Sequence, residues 1–258
     1  ALTGDPDLDQ SHPKLSQQLM NTIKIATYNI HKCIGIDRRY SPERIVDVLR
    51  EIDADIIALQ EVVCHTDLHR RDNQAEFIAK ELGFHFCLGE NRKHRGADYG
   101  NATLSRFPIQ RHRNFDITIA RREPRGLLWS EMKAPGGPVH LANVHMGTSF
   151  FERRKQVHKM LAEHVLDAPE LRGRRIVAGD FNEWINGLTT KLFRSNFQSV
   201  DPKLHLGRSR TFPGVLPLVH LDHVYYDEHF RLRDAFLHQS WTAFVASDHL
   251  PIVAEFEN

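Results

Sequence analysis

The sequence predicts an α/β protein, built as one domain over residues 21–258 with mixed rather than purely parallel sheets. Three observations carry this. From Thr22 onward, apolar runs of strand length alternate with stretches whose apolar residues recur at helical spacing. Mid-chain, strand-like runs follow one another through "FP" and "PGGP" turns, which is the habit of antiparallel hairpins. No stretch reads as a linker between domains, and no internal repeat or low-complexity segment is evident. With 258 residues and 41% hydrophobic content, the chain has enough apolar side chains for a large core.

Residues 1–20 are polar, carry two prolines and lack periodicity, so a tail is expected there. "IKIATYNI" follows as a strand. Ser41 and Pro42 then open a helix as N-cap and first-turn residue, with Ile45, Val48, Leu49 and Ile52 as its apolar stripe. "DIIALQEVV" is the next strand. Asn73 with Glu76 resembles a capping box ahead of a helix that buries Ile78, Ala79 and Leu82. The central runs "NATLSRFPIQRHRNFDITIA", "RGLLWSEMKA" and "VHLANVHMG" are strands and turns. A helix is expected over about 150–167, with Val157, Met160, Leu161 and Val165 on one face. "RRIVAGDF", a short helix near 187–195, "LDHVYYD", "RLRDAFLHQ" and "HLPIVAEF" complete the order.

Net charge is +1, so no global basic field draws the chain to nucleic acid, and such a role needs a local patch. Three scattered cysteines, Cys33, Cys64 and Cys87, cannot all pair within the chain. This argues against a disulfide framework and for a reducing, cytoplasmic setting. No apolar run approaches the ~18 residues that span a bilayer. No charged-then-apolar leader opens the given sequence, although a leader removed earlier would leave no trace. A monomer is expected.

The informative oddity is "IVAGDFN". Asp180 follows directly on an apolar run, and a buried carboxylate there is costly unless a cation or strong donors meet it. The pattern recurs. Asn29 follows "IKIATY", Glu61 follows "IIALQ" and His145 follows "HLANV"; Asp222 and His223 open "LDHVYY", and Asp248 and His249 precede "LPIVAEF". Polar residues gathered at strand ends point to a shared site, because ligands bind there in α/β sheets. Carboxylate and amide oxygens suit a hard cation such as Mg²⁺ or Mn²⁺. Histidines beside it suit proton transfer. Together these groups describe hydrolysis of a phosphate ester.

In chain order, "TYNIH", "LQEV", "YGNATLSRFPI", "NVHM", "GDFN", "LDHVYY" and "SDHLPI" resemble the motifs of the endonuclease/exonuclease/phosphatase family. The resemblance spans residues 22–257. It is nearest to bacterial members sharing "RGLLW"-like and "RTFP…PL…LD" stretches. Each motif alone is weak; the ordered set is specific. The resemblance implies a deoxyribonuclease I-like four-layer sandwich, with two packed mixed β-sheets flanked by helices and the site at one edge.

It further implies Glu61 as the principal metal ligand, with Asn29 helping to hold metal or phosphate and Asp248 a further ligand. Asp180 would bind or activate the attacking water, and Asn182 would orient it or the phosphate. His249 would be the base touching the scissile phosphate, with Asp222 orienting it. His145 would be the second phosphate-facing histidine, a candidate general acid, with the division of acid and base between the two histidines left open by the sequence. Asn101 and Arg125 match positions near the substrate phosphate. His31 stands where abasic-site endonucleases carry an acid, so one metal ion is expected and a second site is in doubt.

Each role has a plainer counterpart. Asp180 could simply form an Asx-turn, and Arg125 could be one more surface charge beside Arg121 and Arg122. Arg153 and Gln156 share a helix face just past His145, which packing also explains. "CHTDLH" places Cys64, His65, Asp67 and His69 together, but a zinc set needs a fourth well-spaced ligand, so a polar loop is expected. Nucleic acid is the expected substrate, with "NRKHR", "RHR" and "ARREPR" as candidate phosphate contacts. A phospholipid or sugar phosphate is the alternative, with "FPGVLPLVHL" as a possible apolar lip. An inactive binding module is disfavoured because Glu61, Asp180, Asp222 and His249 are all present.

Overall fold

The computed structural model describes residues 22–65, 72–162, 166, 173–183, 187–200, 211–212 and 221–257. The expected tail lies outside them. The order is β1 (Thr22–Asn29), a 3-10 turn (His31–Cys33), α1 (Pro42–Ile52), β2 (Ile56–Cys64), α2 (Gln74–Leu82), β3 (His85–His94), β4 (Ala97–Ser105), β5 (Ile109–Asp116), β6 (Gly126–Ala134), β7 (Gly137–His145), α3 (Phe150–Ala162), β8 (Arg174–Asp180), α4 (Leu188–Arg194), β9 (Gln198–Ser199), β10 (Asp222–Tyr226), β11 (Arg231–Leu237), α5 (Trp241–Ala246) and β12 (Ile252–Glu257).

Two six-stranded sheets result, ordered β11-β12-β1-β2-β4-β3 and β5-β6-β7-β8-β10-β9. Each holds one parallel pair, β1 with β2 and β7 with β8, and antiparallel neighbours outside it. The parallel pairs are joined by crossovers containing α1 and α3, as parallel strands require. Alternate side chains assign the layers. Leu141, Ile176, Ala178 and Val224 pack inward with the first sheet and with α1, α2 and α5. Their neighbours Ala142, Val144, Val177 and Tyr225 pack outward with Val157, Met160 and Phe193 of α3 and α4. The fold is therefore the expected four-layer sandwich.

Local chemistry mostly follows the sequence. Pro42 starts α1, which buries Ile45, Val48, Leu49 and Ile52. Ser41 sits at the N-cap, but its Oγ donates to Glu43 Oε2 (3.0 Å) instead of capping the backbone. Asn73 Oδ1 does accept from Glu76 N (3.2 Å) at the start of α2. Ile78 and Ala79 are buried there, whereas Leu82 is only half-buried. In α3, Val157 and Met160 are buried and Leu161 is partly so; Val165 lies outside the described residues.

A buried polar seam joins the sheets beneath the site edge. Gln60 Nε2 donates to Asn143 Oδ1 (2.9 Å) across the sandwich. Asn143 Nδ2 returns bonds to Leu59 O (3.0 Å) and Ala102 O (2.9 Å). Asn101 Nδ2 donates to Gly126 O (3.1 Å) and Asn143 O (3.2 Å). In a closely packed interior these bonds fix how the two strand-end edges align.

Candidate active site

The site begins with a break in a ladder. Between β2 and β4 the register shifts from Leu59↔Ala102 to Val62↔Gly100, so Gln60 and Glu61 together oppose Asn101. Such a bulge re-aims side chains. Here it sends Gln60 into the seam and Glu61 toward the strand ends, with Glu61 in the left-handed region (φ 58). A non-glycine residue seldom adopts that conformation without a compensating role. Glu61 Oε1 faces Asn29 Nδ2 (3.4 Å), and Lys32 Nζ pairs with Oε2. Burial opposes ionisation of Glu61, but the Lys32 ammonium, which both attracts the carboxylate and donates to it, outweighs burial and helps hold the group at about 2.

On the second sheet, the parallel register sets His145 beside Asp180, and the antiparallel one sets Asp180 opposite Asp222. Gly179 makes this row possible. Its φ is +148, and a Cβ there would collide with the Val144 carbonyl. Two acids directly across a ladder repel unless a cation meets them. His249, entering after α5, supplies one: its Nδ1 lies 2.9 Å from Asp222 Oδ2 and its Nε2 lies 3.8 Å from Asp180 Oδ2. Burial alone would lower its pKa; Asp222, then Asp180 and Asp248, raise it to about 10.

Asp180 is where both sheets converge. Oδ2 accepts from Asn29 Nδ2 of the first sheet (3.0 Å) and lies 3.5 Å from His145 Nε2. Oδ1 accepts from Asn182 N (2.8 Å), so the Asx-turn exists and coexists with the wider network. Asn182 Nδ2 donates to Met146 O (2.9 Å). Burial, only partly opposed by these partners, lifts Asp180 to about 6.

His145 is opposite in character to His249. Arg125 Nη1 lies 3.0 Å from His145 Nδ1. A guanidinium only donates, so Nδ1 accepts and the ring proton sits on Nε2, facing Asp180. Burial and then Arg125 hold this imidazole well below its ordinary value, leaving it neutral. Arg125 is itself buried and paired through Nη2 with Glu123 Oε2 (3.0 Å), so it is no stray surface charge.

The structure brings Asn29, Glu61, His145, Asp180, Asn182, Asp222, His249 and Arg125 into one chain of contacts. Two predicted residues stand differently. Asp248 Oδ1 meets Ser247 Oγ (3.4 Å) and His31 Nδ1 (3.6 Å), toward the rim. Asn101 is spent in the inter-sheet seam, although its buried Oδ1 has no hydrogen-bond partner. Sequence reading missed Lys32, Gln60 and Asn143. Lys32 was visible as the only lysine inside "TYNIHKC", but nothing in the sequence aimed it at Glu61. Arg153 Nη1 donates to Gly147 O (3.3 Å) and also to Thr148 O, and Gln156 Oε1 accepts from Gly147 N (3.0 Å), so both tie down the loop after His145.

For a metal, Asp180, Asp222 and His249 bring potential ligand atoms within 4.8 Å of one another. His249, kept protonated by Asp222, has no lone pair to give, so the donors are the carboxylate oxygens, with Glu61 and Asn29 adding oxygens next to Asp180. The set fits a hard divalent ion: it is oxygen-rich, it holds cross-strand acids, and Asp222 Oδ1 is a buried carboxylate oxygen without a hydrogen-bond partner among the described residues. The zinc arrangement finds no support: Cys64 is buried in the core with its thiol pushed up to about 11, chiefly by burial. Asp67 and His69 lie outside the described residues. Phe212, from the expected lip, packs tilted against the His249 ring, 5.0 Å away, while residues 213–220 of that stretch lie outside the described residues. No helix among the described residues is long and apolar enough to cross a membrane.

Such a sandwich, with buried acids and imidazoles crowded at one edge, is the architecture of phosphoester hydrolases. The chain belongs to the endonuclease/exonuclease/phosphatase family, whose model matches residues 26–249. It is 32% identical over 256 residues to the uncharacterised protein YbhP of Escherichia coli K12, covering 94% of this chain and 98% of that one. Among solved structures it resembles the catalytic domain of human nocturnin with a bound sulfate anion (TM-score 0.70, 21% identity, 92% of this chain and 94% of that one). It also resembles the mannosyl-6-phosphatase Bt3783 of Bacteroides thetaiotaomicron (TM-score 0.72, 17% identity, 92% and 100%). The family's members are hydrolases and in general divalent-metal-dependent.

Proposed function

We propose that this protein is a Mg²⁺- or Mn²⁺-dependent phosphodiesterase acting on nucleic acid. The observation that carries the chemistry is the convergence on buried Asp180 of Asn29 from one sheet and of two oppositely disposed imidazoles, His145 and His249. Glu61 and Asn29 would hold the ion, with Asp248 and His31 at the rim. When bound, it would neutralise charge on the phosphoryl oxygens.

The chain's own groups then divide the work. A water hydrogen-bonded to Asp180 and Asn182 attacks phosphorus while its proton passes to the Asp180 carboxylate, whose value near 6 suits it to take one at neutral pH. The bond to the leaving oxygen breaks, and that oxygen takes the proton of His249 Nε2. Asp222 keeps the imidazole oriented and charged. Neutral His145 donates from Nε2 to a phosphoryl oxygen, with Arg125 fixing its tautomer. This assignment makes His249 the acid where the resemblance implied a base, and passes the base role to Asp180, because Asp222 makes His249 the protonated imidazole of the two.

Exposed Arg121 and Arg122, beside Arg125, supply cations for a strand's backbone. A smaller phosphoester is favoured by a different observation. Arg92 pairs with Glu123, Lys93 with Glu90 and Asp98, and Arg111 with Glu131, so much of the basic sequence is neutralised locally. Purified protein is to be incubated with Mg²⁺ or Mn²⁺ and bis(p-nitrophenyl) phosphate, single- and double-stranded DNA, RNA, a phospholipid and a sugar phosphate. Cation-dependent cleavage of nucleic acid, abolished in folded Asp180→Asn and His249→Ala variants, is expected. Cleavage of only the sugar phosphate or lipid would overturn the substrate, and a fully active Asp180→Asn would overturn the mechanism.

A further inference from the structure

Beside Glu61 lies a recess of about 260 Å³ that the chemistry above does not use. Ile34 and Val63 supply its apolar lining together with half-exposed Tyr40; Lys32 and Arg95 are its cations, and His94 stands beside them. Asp72 is the one carboxylate among its described lining residues.

Two backbone features show that these cations are placed. Lys32 sits in a run of left-handed residues, His31, Lys32 and Cys33, with φ of 44°, 59° and 59°. Each costs on the order of 1 kcal/mol outside glycine. Gln74 holds the run, donating from Nε2 to Lys32 O (2.8 Å) while its Oε1 accepts from Val63 N (2.8 Å). The result is a side chain that reaches Glu61 and lines the recess at once, so the two sites share a wall. Arg95 opens the two-residue turn between β3 and β4 with φ 51, followed by Gly96 at φ 86. Asn, Asp or Gly fills such a position at less cost, so backbone preference does not account for an arginine there. His94 reports the resulting potential: burial first, then Arg92, Arg95 and Lys32, hold it below its ordinary value.

We propose that this recess is an anion subsite for a second phosphate of the substrate, neighbouring the one that is cleaved. Arg95 and Lys32 are its cations, and Tyr40, Ile34 and Val63 pack against the group that carries the phosphate. The inference rests on the phosphodiesterase reading and narrows it to substrates with two neighbouring phosphates. A nucleic-acid strand is one source and a phosphorylated headgroup the other.

Arg95→Asn tests it without disturbing the turn, which asparagine favours. Rates are measured on a dinucleotide with and without a 5′-phosphate, and on a glycerophosphodiester with and without an extra headgroup phosphate. The wild type should prefer the phosphorylated member of one pair, which identifies the source. In the variant that preference should fall about tenfold through KM, the scale of one lost guanidinium–phosphate contact. Inorganic phosphate, followed by amide shifts of residues 94–96, should bind the wild type and bind Arg95→Asn about tenfold more weakly. An unchanged preference, or phosphate that leaves residues 94–96 unmoved, overturns the inference. Phosphate binding there by a protein that cleaves no phosphodiester would overturn the phosphodiesterase reading and leave the anion subsite standing.

Discussion

Asp222→Asn tests whether the imidazole of His249 is held charged by its carboxylate. The structure gives one direct bond, Nδ1 to Asp222 Oδ2 at 2.9 Å, between two side chains that are both buried. Burial opposes the charged ring, and Asp222 is the main reason it nonetheless titrates at about 10 instead of 6.5. At about 1.4 kcal/mol per tenfold change in proton affinity, that linkage is on the order of 5 kcal/mol. The loss of one partner of a buried pair falls in the same range, about 3–5 kcal/mol. Because pairing raises the folded-state value, the stabilisation is fully present below pH 6.5 and is lost as pH rises through about 10. Urea denaturation at pH 6 should therefore show Asp222→Asn less stable by about 3 kcal/mol, with the gap narrowing steadily toward alkaline pH. Imidazole NMR should show the His249 midpoint falling well below 10. A His249 midpoint still near 10 in the variant, or a stability gap independent of pH, would refute this reasoning.

Glu61→Gln should abolish the rise in Tm that Mg²⁺ or Mn²⁺ gives the wild type while leaving the fold intact, as read by thermal scans with and without cation. Asn143→Ala removes the side-chain donor to the buried Leu59 O and Ala102 O and the cross-sheet acceptor for Gln60 Nε2, so a loss of about 3 kcal/mol is expected in chemical denaturation. Gly179→Ala combines a disallowed φ with a backbone collision. It should cost about 3 kcal/mol or more and reduce kcat by displacing Asp180; wild-type Tm in this variant would contradict the close approach of β7 and β8.

Much of this was legible in the sequence. The strand and helix order, the capping box at Asn73 and the strand-end polar residues follow from local periodicity, which a chain displays directly. What stayed hidden depends on pairings distant in sequence. The bulge that turns Glu61 outward exists only because β2 lies against β4. The seam of Gln60, Asn101 and Asn143 looked like ordinary strand polarity, and Asn101 in particular suggested a substrate contact. The likeness between the two sheets, each with a helix-bridged parallel pair, leaves no sequence repeat, because opposite faces of each sheet meet different neighbours. The protonation of the two histidines was equally out of reach: it depends on Arg125 facing one ring and Asp222 the other.

β1 pairs with β12 from Thr22 to Thr27, and Ser247 Oγ donates to Asn29 O (2.7 Å) across more than two hundred residues of chain. The first strand of the sandwich is thus clasped by the last one, and His249 rides on that clasp. Recovery of catalysis during refolding should lag behind the appearance of secondary structure, since closing so large a loop is the slow, entropically demanding event. Turnover then becomes a stopwatch for the final stitch of the fold.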